Sequence, residues 1–274
     1  MTTPQPDPAV IVTRHDATLL VTLNRPDRRN ALTPEAYIRL AEAWYLYRDD
    51  DTLRAAILTG AGDRAFTAGA DLAVTIPLLN GTRRPQDAWE ERFMADLTLM
   101  NDGLLRNLAL TKPVIAAVNG AAVGAGAELL QATDLRLIVQ GARIGLPEVQ
   151  RGLIPGGGSI TRLIRQIPWA LAAELLLLGE TIPAERAAEI GLVNEVVRRA
   201  DLLPRAQLLA DRLARNGPLA VQAIKEGMLE GSGRPIADSL AIEQRLVARI
   251  LRTEDSVEGA TAFVQKRSPE FRGK

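Results

Sequence analysis

Short apolar runs rich in Val, Ile, Leu and Ala alternate with helix starts over the first 200 residues, and from Asp201 onward the chain carries helical signals alone. That change of pattern constrains the fold more than any other feature. Strands separated by helices build a sheet covered by helices, whereas a helix-only tail packs as an appendage. The chain therefore reads as an α/β protein, with residues 1–200 as the core and 201–274 as a C-terminal helical region.

The local signals behind this division are specific. Residues 10–23 read as two short strands around a His15-Asp16 turn. Thr33-Pro34-Glu35 is a helix start, with Thr as N-cap, Pro at the first helical position and an acid in the first turn. That helix is expected to run to about Tyr47, with Leu40, Ala43, Trp44 and Tyr47 on one side. Strands are expected at 55–59, 113–118, 135–139 and 193–197, and helices near 126–133, 168–178 and 183–190. Residues 72–107 read as irregular at first and then helical. Four helices follow, over 204–216, 218–230, 235–252 and 255–267, and proline marks three of those starts.

Composition removes several kinds of chemistry. The chain has no cysteine, which excludes disulfides, thiolate nucleophiles and cysteine-ligated zinc. His15 is its only histidine and reads as a surface or turn residue, so no Ser-His-Asp machinery is indicated. Lys and Arg together equal Asp and Glu at 33 each, so no general field draws nucleic acid or an anionic membrane. The most apolar stretch, 108–139, is interrupted by Lys112, Pro113, Asn119, Glu128, Asp134 and Arg136, which marks a buried core and not a membrane span. Residues 1–8 are Pro-rich and polar, without the apolar core of a signal peptide, and a cytoplasmic protein is expected.

Three segments make unusual demands on the backbone. Ala65-Phe66-Thr67-Ala68-Gly69-Ala70-Asp71-Leu72 follows the 55–59 strand, and Asn119-Gly120-Ala121-Ala122-Val123-Gly124-Ala125-Gly126-Ala127-Glu128 follows the 113–118 strand. The third is Leu146-Pro147-Glu148, with Gly152-Leu153-Ile154-Pro155-Gly156-Gly157-Gly158 behind it. Small residues at strand-to-helix junctions let the main chain approach a ligand and aim free N–H groups at it. Two such junctions could supply the paired donors of an oxyanion hole. Any one of these glycine runs could equally serve only as a turn. Gly60-Ala61-Gly62-Asp63-Arg64-Ala65 matches a dinucleotide fingerprint on paper, but residues 66–72 do not open the helix that such a site needs.

Together with Asn24-Arg25-Pro26, Asn30-Ala31-Leu32, Lys112-Pro113-Val114-Ile115-Ala116-Ala117-Val118-Asn119-Gly120 and Pro147-Glu148, these segments resemble the crotonase (enoyl-CoA hydratase/isomerase) superfamily over nearly the whole chain. The resemblance implies a spiral of ββα units with C-terminal helices that build a homotrimer, often paired into a hexamer. It implies oxyanion N–H groups at Ala70 and Ala125, where the family often has glycine at the second position. It assigns the two catalytic glutamates of the hydratase branch to Glu128 and Glu148, twenty residues apart. The substrate would be an acyl-CoA thioester, with coenzyme A as part of the substrate and no separate cofactor or metal. CoA would run along Arg28, Ala68, Ala70, Asp71 and Leu72, with Phe263 and Lys266 approaching from one face of the last helix, in some relatives from a neighbouring subunit.

Water addition to a 2-enoyl thioester needs a base for the water and a proton for the α-carbon, which is why two carboxyls are wanted. Glu128 is expected to activate the water and Glu148 to deliver the proton, or the two share the roles. As ordinary residues they would be a first-turn acid and a solvated loop acid. Residues 72–107 are longer than in short hydratases, and either border the acyl pocket or form a surface insertion. A Δ3-Δ2 enoyl-CoA isomerase, a carnitinyl-CoA dehydratase-like enzyme and a non-catalytic or RNA-associated relative stay open beside the enoyl-CoA hydratase.

Overall fold

A computed structural model describes residues 7–274, so most of the 1–8 segment read above lies outside the described residues. Within them the strands are β1 (Val10–His15), β2 (Thr18–Leu23), β3 (Ala55–Gly60), β4 (Ala65–Thr67), β5 (Val114–Val118), β6 (Ala121–Val123), β7 (Leu135–Val139), β8 (Arg143–Gly145), β9 (Thr181–Pro183) and β10 (Glu195–Val197). The helices of the first half are α1 (Pro34–Asp49), α2 (Thr75–Leu79), α3 (Ala88–Ala95), α4 (Thr98–Gly103), α5 (Ala125–Gln131), α6 (Ser159–Gln166), α7 (Trp169–Leu178) and α8 (Ala184–Glu189). The last four are α9 (Leu202–Arg215), α10 (Pro218–Gly231), α11 (Ile236–Ile250) and α12 (Glu254–Val264).

The strands divide between two sheets. One has the order β1-β2-β3-β5-β7-β10 and is parallel throughout except for the β1–β2 hairpin. The other has the order β4-β6-β8-β9, with β4, β6 and β8 parallel. Each of β3, β5 and β7 in the large sheet is followed at once by a three-residue strand of the small sheet and then by helix. That repetition is the expected spiral of ββα units.

Burial explains why the large sheet reads so clearly in the sequence. Every residue of β3 and β5 is buried, as strands of a parallel sheet covered on both faces must be. Helix α1 starts where Thr33 caps the Ala36 amide, and it buries Tyr37, Leu40, Trp44 and Tyr47. Two of its polar tips are paired, the Trp44 indole donating to the Gly103 carbonyl (3.0 Å) and the Tyr47 hydroxyl to the Pro113 carbonyl (2.7 Å). The first helix of the C-terminal region, α9, packs on β3, β5 and β7 and so belongs to the core wall. No helix among the described residues is long and apolar enough to cross a membrane.

Some expectations need correction. The strands of the small sheet carry no strand signal in the sequence, where β4 and β6 fall in segments expected to be junctions or turns, because three-residue strands are too short to show a period of two. Helix α6 was not expected; Gly158, at φ 116, leads into it and offers no capping side chain. The last helix ends at Val264, so Lys266 does not share a helical face with Phe263. It sits beyond the helix in a left-handed conformation, φ 54.

Candidate active site

Register in the small sheet delivers the three unusual segments to one place. Ala65 and Thr67 of β4 pair with Ala121 and Ala122 of β6, and Val123 of β6 pairs with Gly145 of β8. Parallel strands present their C-terminal ends along one edge, which is where ligands bind in such sheets. Gly69-Ala70, Gly124-Ala125 and Pro147-Glu148 follow those ends directly.

Two glycines make the approach close enough. Gly69 has φ 88, and a Cβ there would lie 2.7 Å from the Val123 carbonyl oxygen and 3.1 Å from the Ala125 nitrogen. Gly124 has φ 57, while Ala125 is ordinary helix, so alanine is accommodated at the second amide without strain. Ala125 opens α5, where an amide has no intrahelical acceptor. Neither the Ala70 nor the Ala125 amide donates to a protein group among the described residues.

These amides border a cavity of about 260 Å³. Its lining includes Ala68, Ala70, Leu72, Ala125, Glu128 and Glu148 together, along with Tyr37, Ile76, Leu79, Met100 and Leu104. The 72–107 segment is therefore no surface decoration, since α2 and α4 supply part of the wall. Trp89, in contrast, lies beneath the Arg39 guanidinium, 4.8 Å from its ring centre.

The two carboxyls sit in different electrostatic settings. Glu128, in the first turn of α5, is only 3% exposed, and its Oε1 accepts from the amides of Gly157 (2.7 Å) and Ser159 (3.3 Å). Burial raises its pKa, while those two amides and the charges of Arg162 and Arg106 oppose the rise. Arg162 also holds the loop, donating to the carbonyls of Gly157 (3.0 Å) and Leu105 (2.6 Å).

Glu148 lies on a short 3-10 helix over Pro147–Arg151. Burial, helped by the charge of Glu128, pushes its carboxyl up to about 7. Its Oε2 is buried with no hydrogen-bond partner, and its Oε1 sits so close to Gly124 that a Cβ there would come within 3.1 Å. Burial raises the pKa of both carboxyls; Glu128 has two amides and two arginines opposing that rise, while Glu148 has only its own backbone and Arg151 against it.

The remaining expected residues are not gathered here. The Asp71 carboxylate pairs with Arg25 (3.1 Å), which also donates to the Ala31 carbonyl, so it is spent within the protein. Arg28 is exposed on a 3-10 helix over Pro26–Arg28, outside the cavity lining. Phe263, 85% exposed, and Lys266 also lie outside that lining. Ser159, Arg162 and Tyr37 went unnoticed in the sequence. Tyr37 falls three positions before Leu40 on the apolar side of α1, a spacing that marks core and not a cavity.

Paired free amides beside two titratable carboxyls suit proton transfer next to a polarised carbonyl, and the ββα spiral that holds them defines an enzyme of the crotonase type. The profile of the enoyl-CoA hydratase/isomerase family matches residues 13–274. The chain belongs to that family. It is 39% identical to an enoyl-CoA hydratase of Mycobacterium tuberculosis, with 100% of each chain covered. It is 38% identical to the (E)-benzylidenesuccinyl-CoA hydratase of Thauera aromatica, covering 92% of this chain and 94% of that one. A crystal structure of an enoyl-CoA hydratase from Mycobacterium tuberculosis H37Rv superposes with a TM-score of 0.86 at 36% identity, covering 98% of this chain and 100% of the other.

Proposed function

We propose that this chain hydrates 2-enoyl-CoA thioesters, and in reverse dehydrates 3-hydroxyacyl-CoA, using Glu128 and Glu148. The observation that carries this is the shared cavity: both carboxyls line it beside Ala70 and Ala125, whose amides have no protein acceptor among the described residues. The thioester oxygen would accept from those two amides, which polarises the conjugated double bond. Glu128, ionised, takes a proton from water as the oxygen forms its bond to the β-carbon. The π electrons move onto the α-carbon and thioester oxygen as an enolate. Glu148, protonated near neutral pH, returns a proton to the α-carbon. The net change is one water across the double bond, and a proton passed from Glu128 to Glu148 resets the pair.

No metal or redox group enters this chemistry, and coenzyme A arrives as part of the substrate. Its adenine and pantetheine would enter past Ala68 and Leu72 at the mouth. Arg28, the Asp71 backbone, Phe263 and Lys266 are assigned to CoA contacts, the last two in a neighbouring subunit. Exposed Ile224, Met228, Leu240 and Leu251 on α10, α11 and the following turn support assembly through the 201–274 region as a trimer or hexamer, to be read by light scattering. The enzyme is placed in the cytoplasm, to be checked by cell fractionation.

Hydration of crotonyl-CoA and longer 2-enoyl-CoAs, followed by loss of the enoyl absorbance, tests the reading. Glu128→Ala and Glu148→Ala are each expected to lose about 10²–10⁴ in kcat. Full turnover in both variants, or activity confined to 3-enoyl-CoA, would overturn it.

A further inference from the structure

Polar side chains are scarce around the cavity: beside Glu128 and Glu148 the lining holds Thr75, Arg151 and Tyr37. The Thr75 hydroxyl donates to the Leu32 carbonyl (3.3 Å), and the Arg151 guanidinium to the Pro147 carbonyl (2.9 Å). Tyr37 differs. The residue is only 2% exposed, yet its hydroxyl has no hydrogen-bond partner among the described residues. The chain's two other tyrosines are both satisfied, Tyr45 by the Asp102 carboxylate (2.6 Å) and Tyr47 by the Pro113 carbonyl (2.7 Å). The hydroxyl is not one of the fully enclosed unpaired atoms, so with no protein partner it opens onto the cavity, where a ligand oxygen can replace water as its acceptor.

The phenol is also held firmly. Its ring packs on Phe93, 5.8 Å between centres, and the Tyr37 carbonyl is so close to Gly103 that a Cβ there would come within 2.5 Å. Tyr37 therefore belongs to the cavity wall that carries Met100 and Leu104, with Phe93 of α3 behind it. Burial, together with the charges of Glu128, Asp71 and Glu148, raises its pKa above the ordinary tyrosine value, so the hydroxyl stays a neutral donor. Those three carboxyls would also repel an anionic substituent placed beside it.

We propose that the Tyr37 hydroxyl selects acyl-CoA substrates whose acyl chain carries a neutral oxygen, a hydroxyl or a carbonyl, over plain alkyl chains of the same length. The proposal rests on the hydratase reading only in taking the cavity as the acyl site. A ligand that covers this hydroxyl without offering it an acceptor displaces water and leaves the hydroxyl unpaired, and is disfavoured against one that supplies the oxygen.

Calorimetric binding of saturated thioesters tests it without requiring turnover. Hexanoyl-CoA would be compared with its 4-, 5- and 6-hydroxy and keto analogues, on the native protein and on Tyr37→Phe, and kcat/KM measured with the matching 2-enoyl-CoAs. The native protein is expected to prefer at least one oxygenated thioester by about tenfold, and Tyr37→Phe to bring that ratio close to one. No oxygenated preference in the native protein, a preference that survives in Tyr37→Phe, or an equal loss on both kinds of ligand would each overturn it. Should no enoyl-CoA be hydrated, the hydratase reading falls, and the binding ratio still decides the role of Tyr37.

Discussion

The Gly157 amide donates to Glu128 Oε1 at 2.7 Å, and a Cβ on the same glycine would lie 2.8 Å from Glu128 Oε2. The residue that orients the carboxyl is thus one that has to lack a side chain. Gly157→Ala is expected to push the carboxyl off its amides and against Leu104, whose side chain is also 2.9 Å from that Cβ. A displacement near 1 Å costs about 10² in rate. Steady-state hydration should show the loss in kcat, with a melting temperature that stays close to the native value.

Gly69→Ala attacks the other side of the site. The backbone there is left-handed, and the new methyl would meet the Val123 carbonyl and the Ala125 amide. Separating the two free amides removes one donor from the thioester oxygen, at about 10²–10³ in kcat. A strained alanine at positive φ also costs roughly 1 kcal/mol or more, so a denaturant titration should show lower stability as well.

For Glu148, the sign of the pH effect follows from its raised pKa. In the unfolded chain it titrates near 4.5, and in the folded protein near 7. Between those values the folded state holds a proton that the unfolded state has released, so this contribution is full below about pH 4.5 and lost as pH rises through about 7. Because the side chain is partly exposed, screening leaves about 1 kcal/mol. Glu148→Gln should therefore melt higher than the native protein at pH 8, by about 2 °C, and show no such advantage near pH 4.5. The native hydration rate should fall above pH 7, where the donor proton is gone.

Arg162 stands behind Glu128 both as a clamp and as a charge. Arg162→Gln is expected to release the carbonyls of Gly157 and Leu105 and to withdraw a positive charge from Glu128. Without that charge the Glu128 pKa rises further, so the acid limb of the pH–rate profile moves to higher pH. Arg162→Lys, which keeps the charge, should restore much of the limb's position. An unmoved limb in Arg162→Gln would leave Arg162 with a purely structural role.

Much of this molecule was legible locally. Thr33 and Pro34 announce α1, the all-apolar runs at 55–59 and 113–118 announce β3 and β5, and glycines at 69 and 124 mark where the chain turns left-handed. Caps, periodicity and φ preferences act within a few residues of chain, so a linear reading detects them. Glu128 and Glu148 were picked out by their motifs, and the fold brings both to one cavity.

Other features were decided only by the assembled structure. The pairing of β4 with β6 and β8 sets which loop ends meet, yet each strand is too short to carry a pattern of its own. The Asp71 carboxylate is paired with Arg25 from 46 residues away, a partner that no local pattern indicates. Tyr37 looks like any core residue along α1, until every neighbour is in place and its hydroxyl, unlike those of Tyr45 and Tyr47, is left facing the cavity without a protein partner. Register, burial and hydrogen-bond satisfaction are sums over residues distant in sequence, and such sums exist only once the chain has packed.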